Sequence, residues 1–167
     1  KETIAEGVTS KNAHYNISQS NISKNFFALH AKNFKQIIDV QQNGFISISL
    51  YPSNNEFVNY EYKSLAPNWK LYENLKSKKI SEDQFITAYK EQLESMNPNK
   101  VYDDLNTLVS GFEPILMTDG SKKKFCHRHL VAEWLENELG IIIEEYKLGK
   151  VIRSKGYMKK NINPTLF

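Results

Sequence analysis

The first hydrophobic patterns along the chain are strand-like. "NFFALHA" (25–31) has an apolar core, and "GFISISLYP" (44–52) sets Phe45, Ser47 and Ser49 against Ile46, Ile48 and Leu50. That period-two alternation predicts a strand with one face more buried, ended by Pro52. "FKQIIDV" between the two predicts a short helical connection. Residues 53–67 read as an aromatic loop closing on Pro67, with a short helix after it around Asn68–Lys76. Ser81 followed by Glu82 and Asp83 is a helix start, since the hydroxyl caps free N–H groups and acidic side chains favour the positive end. Phe85, Ile86, Tyr89, Leu93 and Met96 then keep helical spacing. Pro98 opens the next helix, with Val101, Tyr102, Leu105, Leu108 and Val109 inward and Gly111 as its stop. "EPILMT" (113–118) is a short buried strand, and "DGSKKKF" is a turn. Helix 126–139 places Leu130, Val131, Trp134, Leu135 and Leu139 inward, Gly140 caps it, and "IIIEEY" (141–146) is the last strand expected.

Strand, loop, helix and strand in that order make a βαβ unit. With the earlier elements they predict an α/β fold: a single three-layer, Rossmann-like domain over residues 25–146 with a mostly parallel sheet. A polar arm (1–24) precedes it and a basic tail (147–167) follows. Ligands of such sheets bind outside the carboxyl ends of the strands. The segment 119–128 leaves one of those ends and enters a helix. The expected pocket is therefore residues 119–129, helped by 47–52 and 62–69.

A chain of 167 residues, 40% hydrophobic and 25% charged, fits one soluble domain with a real core. No apolar run reaches bilayer length, and the N-terminal stretch lacks the apolar segment of a signal peptide or anchor. One cysteine forms no internal disulfide, so a cytoplasmic location is expected. The net charge of +3 implies little, but its distribution is uneven. Lys147, Lys150, Arg153, Lys155, Lys159 and Lys160 face no acidic residue in the tail. Nucleic-acid or phosphate contact and a simple solvated tail both remain open.

Candidate chemistry gathers in "SKKKFCHRHLVAEWLENELG" (121–140), which holds the only cysteine and one of two arginines. A helix N-terminus presents free N–H groups and about half a positive charge, which stabilises a thiolate or a bound anion. Lys122, Lys123, Lys124 and Arg128 add to that field, and an arginine can grip an anion with two hydrogen bonds. Three readings follow. Cys126 is a nucleophile, with Arg128 as anion clamp and Asp119 or a histidine such as His127 as acid/base group. Alternatively, the site binds a nucleotide, phosphorylated or nucleic-acid-derived ligand without covalent chemistry. In the third reading the triplet is structural, and Arg128 pairs with a carboxylate such as Asp119.

His30, at the end of the first strand, would lie near the crevice if that strand runs parallel to the last. Ser49 lies on the less buried strand face. Tyr51, Tyr60, Tyr62 and Trp69 would stack on a base or sugar, or else pack on the core. Cys126 and His129 are one helical turn apart, yet no second cysteine exists and His14 and His30 are distant. No metal is expected, and no cofactor is specified. A rival of another class is a non-enzymatic interaction module using the aromatic loop and basic tail.

"ISISLYP", "YKSLAP", "ITAYKEQLESMNPNKVYDDL" and "ILMTDG…FCHRHLVAEWLE", in that order, resemble the bacterial domain-of-unknown-function 488 family over roughly residues 26–146. The resemblance implies a Rossmann-like, mostly cytoplasmic protein without an assigned activity. It maps the family's Cys-His-Arg signature onto Cys126, His127 and Arg128, and its acidic residue after the apolar strand onto Asp119. "YPSNNEFVNYEY" and "FFALHA" depart from the family pattern.

Overall fold

Strands that read as nearly continuous apolar runs suit parallel pairing, in which both faces of the sheet are covered. The computed structural model describes residues 26–30, 43–53, 58–119, 123–146 and 148–161. Within them, β1 (Phe26–His30), β2 (Asn43–Ser47), β3 (Tyr60–Glu61), β4 (Glu113–Thr118) and β5 (Ile143–Glu145) form one sheet in the order β3-β2-β4-β1-β5. Every neighbouring pair in it is parallel. The chain is thus an α/β protein built on a parallel sheet.

Four helices are described: α1 (Trp69–Lys76), α2 (Glu82–Glu94), α3 (Pro98–Leu108) and α4 (His127–Leu139). Their ends follow from local chemistry. Asn68 and Asn97 cap α1 and α3 through their side chains, and Pro98 occupies the first turn of α3, where its missing N–H costs nothing. Ser81 and Gln84 close a reciprocal capping box on α2. Gly140 ends α4 at φ 63°, a conformation that glycine adopts without strain. The apolar sides of these helices meet Ile46, Leu116 and Ile143 of the sheet, with Phe85, Tyr89, Leu93, Leu105 and Leu135 at the centre. Phe45, Ile115 and Met117, on the other face, are buried too.

Three expectations are corrected. The alternation through residue 52 does not persist as strand: β2 stops at Ser47, and one further bond, Ile48 N–H to the Met117 carbonyl, ends the pairing. The aromatic loop contributes the two-residue strand β3, paired to β2. "IIIEEY" is not the last strand, because β6 (Val151–Ser154) and β7 (Tyr157–Asn161) form an antiparallel hairpin where a basic tail was expected. Its turn residues Lys155 and Gly156 both have positive φ, as a two-residue hairpin loop requires. Val151 and Arg153 are buried while Ile152 between them is 46% exposed, so the hairpin has an inner face. The N-terminal arm (1–24) and "FKQIIDV" lie outside the described residues. No helix among the described residues is long and apolar enough to cross a membrane.

One tight approach fixes how the α3–β4 connection meets β2. A Cβ on Gly44 would lie 2.5 Å from both Cβ and Cγ1 of Val109, so only glycine fits without movement. Gly44→Ala is therefore expected to lower stability by about 1–3 kcal/mol, the usual cost of overpacking, measured by urea denaturation.

Candidate functional site

The carboxyl ends of the parallel strands meet the start of α4, as the βαβ pattern predicts. β4 ends in Thr118, a hydroxyl residue with 3% exposure that closes an otherwise apolar run. β1 ends beside it, with His30 in register with Thr118. Cys126 is the N-cap of α4 in an extended conformation, and its N–H donates to the Gly156 carbonyl of the hairpin turn. Its Sγ lies 3.0 Å from Thr118 Oγ1.

Arg128 reaches the same hydroxyl. Arg128 Nη1 donates to Thr118 Oγ1 at 2.9 Å, and an arginine never accepts. The hydroxyl keeps its own proton and a second lone pair, so it can donate to a Cys126 thiolate or accept from the thiol, and the first arrangement favours the thiolate. On the other side, His127 Nε2 lies 2.8 Å from the Ile48 carbonyl. A carbonyl only accepts, so Nε2 carries the proton and Nδ1 is the basic nitrogen of the neutral ring. The ring also meets Tyr89 edge-on, and the Tyr89 hydroxyl donates to the Leu65 carbonyl in "YKSLAP". Burial by itself would raise the Cys126 pKa. His127, the charge on Arg128 and the Thr118 hydroxyl outweigh it and lower the pKa to about 7.

Arg128 does not face an open cleft. It is fully buried, and Nη2 donates to Glu145 Oε1 at 2.8 Å. Glu145 also pairs through Oε2 with Arg153 Nη2 at 3.4 Å, and Arg153 reaches Glu136 at 3.5 Å and the Ile143 carbonyl at 2.8 Å. Burial pushes the Glu145 carboxyl up, against the pull of both arginines. His129 sits between the two guanidiniums, with Nδ1 3.3 Å from Arg153 Nε and Nε2 3.4 Å from Arg128 Nη2. Burial and those two cations hold its pKa well below the ordinary histidine value. A neutral imidazole has one lone pair, so it accepts from only one of them at a time. Both arginines of the chain thus converge on one carboxylate.

The remaining expected residues divide clearly. Cys126, His127 and Arg128 come together with Thr118, and His30 joins them by backbone register. Asp119 is exposed just past β4 and is not the partner of Arg128; Glu145 is. Ser49 is buried, and its carbonyl accepts from Lys63 Nζ. The Tyr51 hydroxyl donates to Glu73 on α1, and the Tyr62 hydroxyl donates to Asp104 on α3. Of the tail cations, Lys150, Lys155, Lys159 and Lys160 are exposed, Arg153 is buried in the ion pairs, and Lys147 lies outside the described residues. Thr118 and Glu145 were not anticipated. Their signals were a polar residue ending an apolar run and a two-glutamate strand whose alternation places Glu145 on the face of Ile143. Glu136 on α4 adds to the cluster, its carboxylate accepting from Ile143 N–H and pairing with Arg153.

Two measurements test this geometry. Glu145→Gln leaves buried Arg128 without a carboxylate and Arg153 with Glu136 alone, and is expected to cost about 3–5 kcal/mol, while Glu144→Gln beside it stays within about 0.5 kcal/mol. The second concerns pH. Cys126 ionises at about 7 in the folded chain, below its ordinary value of 9.0, so between these the unfolded chain binds more protons. Its contribution to stability is present above the unfolded value and is lost as pH falls through about 7. The wild type should therefore gain stability over Cys126→Ser by roughly 3 kcal/mol as pH rises through that window, read from paired urea titrations.

No curated protein and no solved structure matches the chain. A family model does match, over residues 44–139: DUF488-N3a, described as the active DUF488-N3 subclade. The match spans β2 through α4 and includes Thr118 and the Cys-His-Arg triplet. The chain belongs to the DUF488-N3a family.

Proposed function

We propose that this protein is a cytoplasmic cysteine-dependent enzyme acting on an anionic substrate, a nucleotide or a phosphorylated or nucleic-acid-derived compound, by hydrolysis or group transfer. The observation that carries the reading is the contact of Cys126 Sγ with Thr118 Oγ1, a hydroxyl that also accepts from Arg128. Cys126 is the nucleophile. His127 Nδ1 accepts the thiol proton, and the Ile48 carbonyl holds the ring in that tautomer. Nucleophile, base and orienting group are the parts that covalent catalysis needs. Arg128 is a positioning residue, since it holds the Thr118 hydroxyl and places its charge near the thiol while its two Nη groups are committed to Thr118 and Glu145. Attraction of an anion then falls to the helix N-terminus and to exposed Lys123 and Lys124. We further propose that the sheet is the middle layer of a three-layer, Rossmann-like domain, since side chains on both its faces are buried.

A second reading rests on one observation of its own. Arg128 is fully buried and Cys126 is only 5% exposed, which suits a structural triplet in a non-enzymatic interaction module.

The rate of Cys126 alkylation by iodoacetamide, followed against pH on the folded protein, separates the two. The enzyme reading predicts an inflection near 7, moved toward the free-thiol value of about 8.5 in His127→Gln. Modification that waits for global unfolding would establish the structural reading instead.

A further inference from the structure

A groove of about 860 Å³ opens beside Phe125, the residue immediately before Cys126. It is walled by the end of α1, the turn after it, the start of α2, the loop entering α4 and the hairpin. Its charge is one-sided. Lys76, Lys78, Lys123 and Lys124 line it and are all exposed, against a single carboxylate, Glu82. Its other feature is aromatic. Tyr72, Phe125 and Tyr157 present half-buried rings into it. Phe125 is held by edge contacts to Phe85 and Tyr157, and by Gly156, where any Cβ would strike the Phe125 ring. Tyr157 is pinned by its hydroxyl, which donates to the Glu82 carboxylate at 2.7 Å, and Lys159 Nζ lies 4.7 Å from its ring centroid.

We infer that this groove binds single-stranded nucleic acid and leads it toward Cys126. Four lysines arranged along a groove match a chain of phosphates, each neutralisation releasing a condensed counterion. Half-buried rings lining the same groove offer stacking faces to unpaired bases, and stacking tolerates any sequence. A duplex keeps its bases inside the stack and cannot reach half-buried rings. An acidic peptide would use the lysines but leave the rings idle. The lysine-only rim suits sequence-independent backbone contact, because lysine provides a point charge without the planar fork of arginine. The inference deepens the proposed function by naming what reaches the cysteine, and it rests on that reading only for the direction of the chain.

The test is fluorescence anisotropy of a short labelled oligo(dT), and of oligo(U) of equal length, with the full chain at about 50 and 200 mM salt. One or both single strands should bind, in preference to duplex DNA of equal length and to polyglutamate. Lys123→Ala/Lys124→Ala should weaken binding about tenfold and flatten the dependence of log affinity on log salt by about 1.4, the value for two lost contacts to a single strand. Lys100→Ala, on α3 outside the groove, should change nothing. Glu82→Gln should tighten binding, a gain that misfolding cannot imitate. Cys126→Ser should bind as the wild type does, so loss of alkylation chemistry and loss of groove binding are read separately. Unchanged affinity and slope in Lys123→Ala/Lys124→Ala would overturn the inference, as would equal binding of duplex or polyglutamate.

Discussion

The buried pairing of Arg128 and Arg153 with Glu145 is the constraint on which the rest of the structure depends. It ties four elements together: α4 through Arg128, β5 through Glu145, β6 through Arg153 and β4 through the Thr118 hydroxyl. Three charges out of water are tolerable only when each is matched, and Glu136 supplies the fourth. Packing of apolar helix faces on the sheet does not by itself select the rotation of α4 about its axis. A guanidinium that must find both a carboxylate and a hydroxyl does. This also explains the use of arginine in a lysine-rich chain. Lysine serves the solvated surface, and the two arginines stand where one planar cation must make several directed bonds at once.

From that anchor the chemistry of the site follows outward. With Arg128 fixed, its Nη1 is aimed at Thr118, and the Thr118 hydroxyl in turn meets Cys126 Sγ. The hairpin closes the arrangement from the other side, since Gly156 accepts the Cys126 N–H and leaves room for the Phe125 ring. Residues 148–161 thus belong to the site's support instead of forming a free tail. Arg153 joins the ion pairs and the turn holds the loop that delivers the cysteine. The outer lysines of the hairpin remain in solvent, where their charge adds to the positive field around the groove.

Much of this was legible in the sequence because the relevant signals are local. Ser81, Asn68, Pro98 and Gly140 act on the helix turns they adjoin, so those helix limits could be read directly. The placement of Cys126 at a helix start behind a buried strand followed from the spacing of apolar residues alone. The partner of Arg128 was not legible. Asp119 is nine residues before it, and Glu145 is seventeen beyond. Choosing between them requires strand order, which decides that β5 lies beyond β1 and turns Glu145 inward. The hydrogen-bond partners of Tyr51 and Tyr62 were not legible for the same reason. Loop position left stacking on a ligand and packing on the core open, and their hydroxyls donate to separate carboxylates on α1 and α3. The hairpin was hidden by charge: its inner face alternates a valine with an arginine, a pattern that reads as polar until the arginine's carboxylates are known.

The central claim is that the buried ion pairs act on the cysteine through Thr118. Ultraviolet absorbance titration of the thiolate in the wild type and in Thr118→Val tests it most directly, because valine keeps the shape and removes only the hydroxyl. The account predicts a midpoint near 7 in the wild type and a clearly higher one in the variant. Equal midpoints in the two proteins would contradict it.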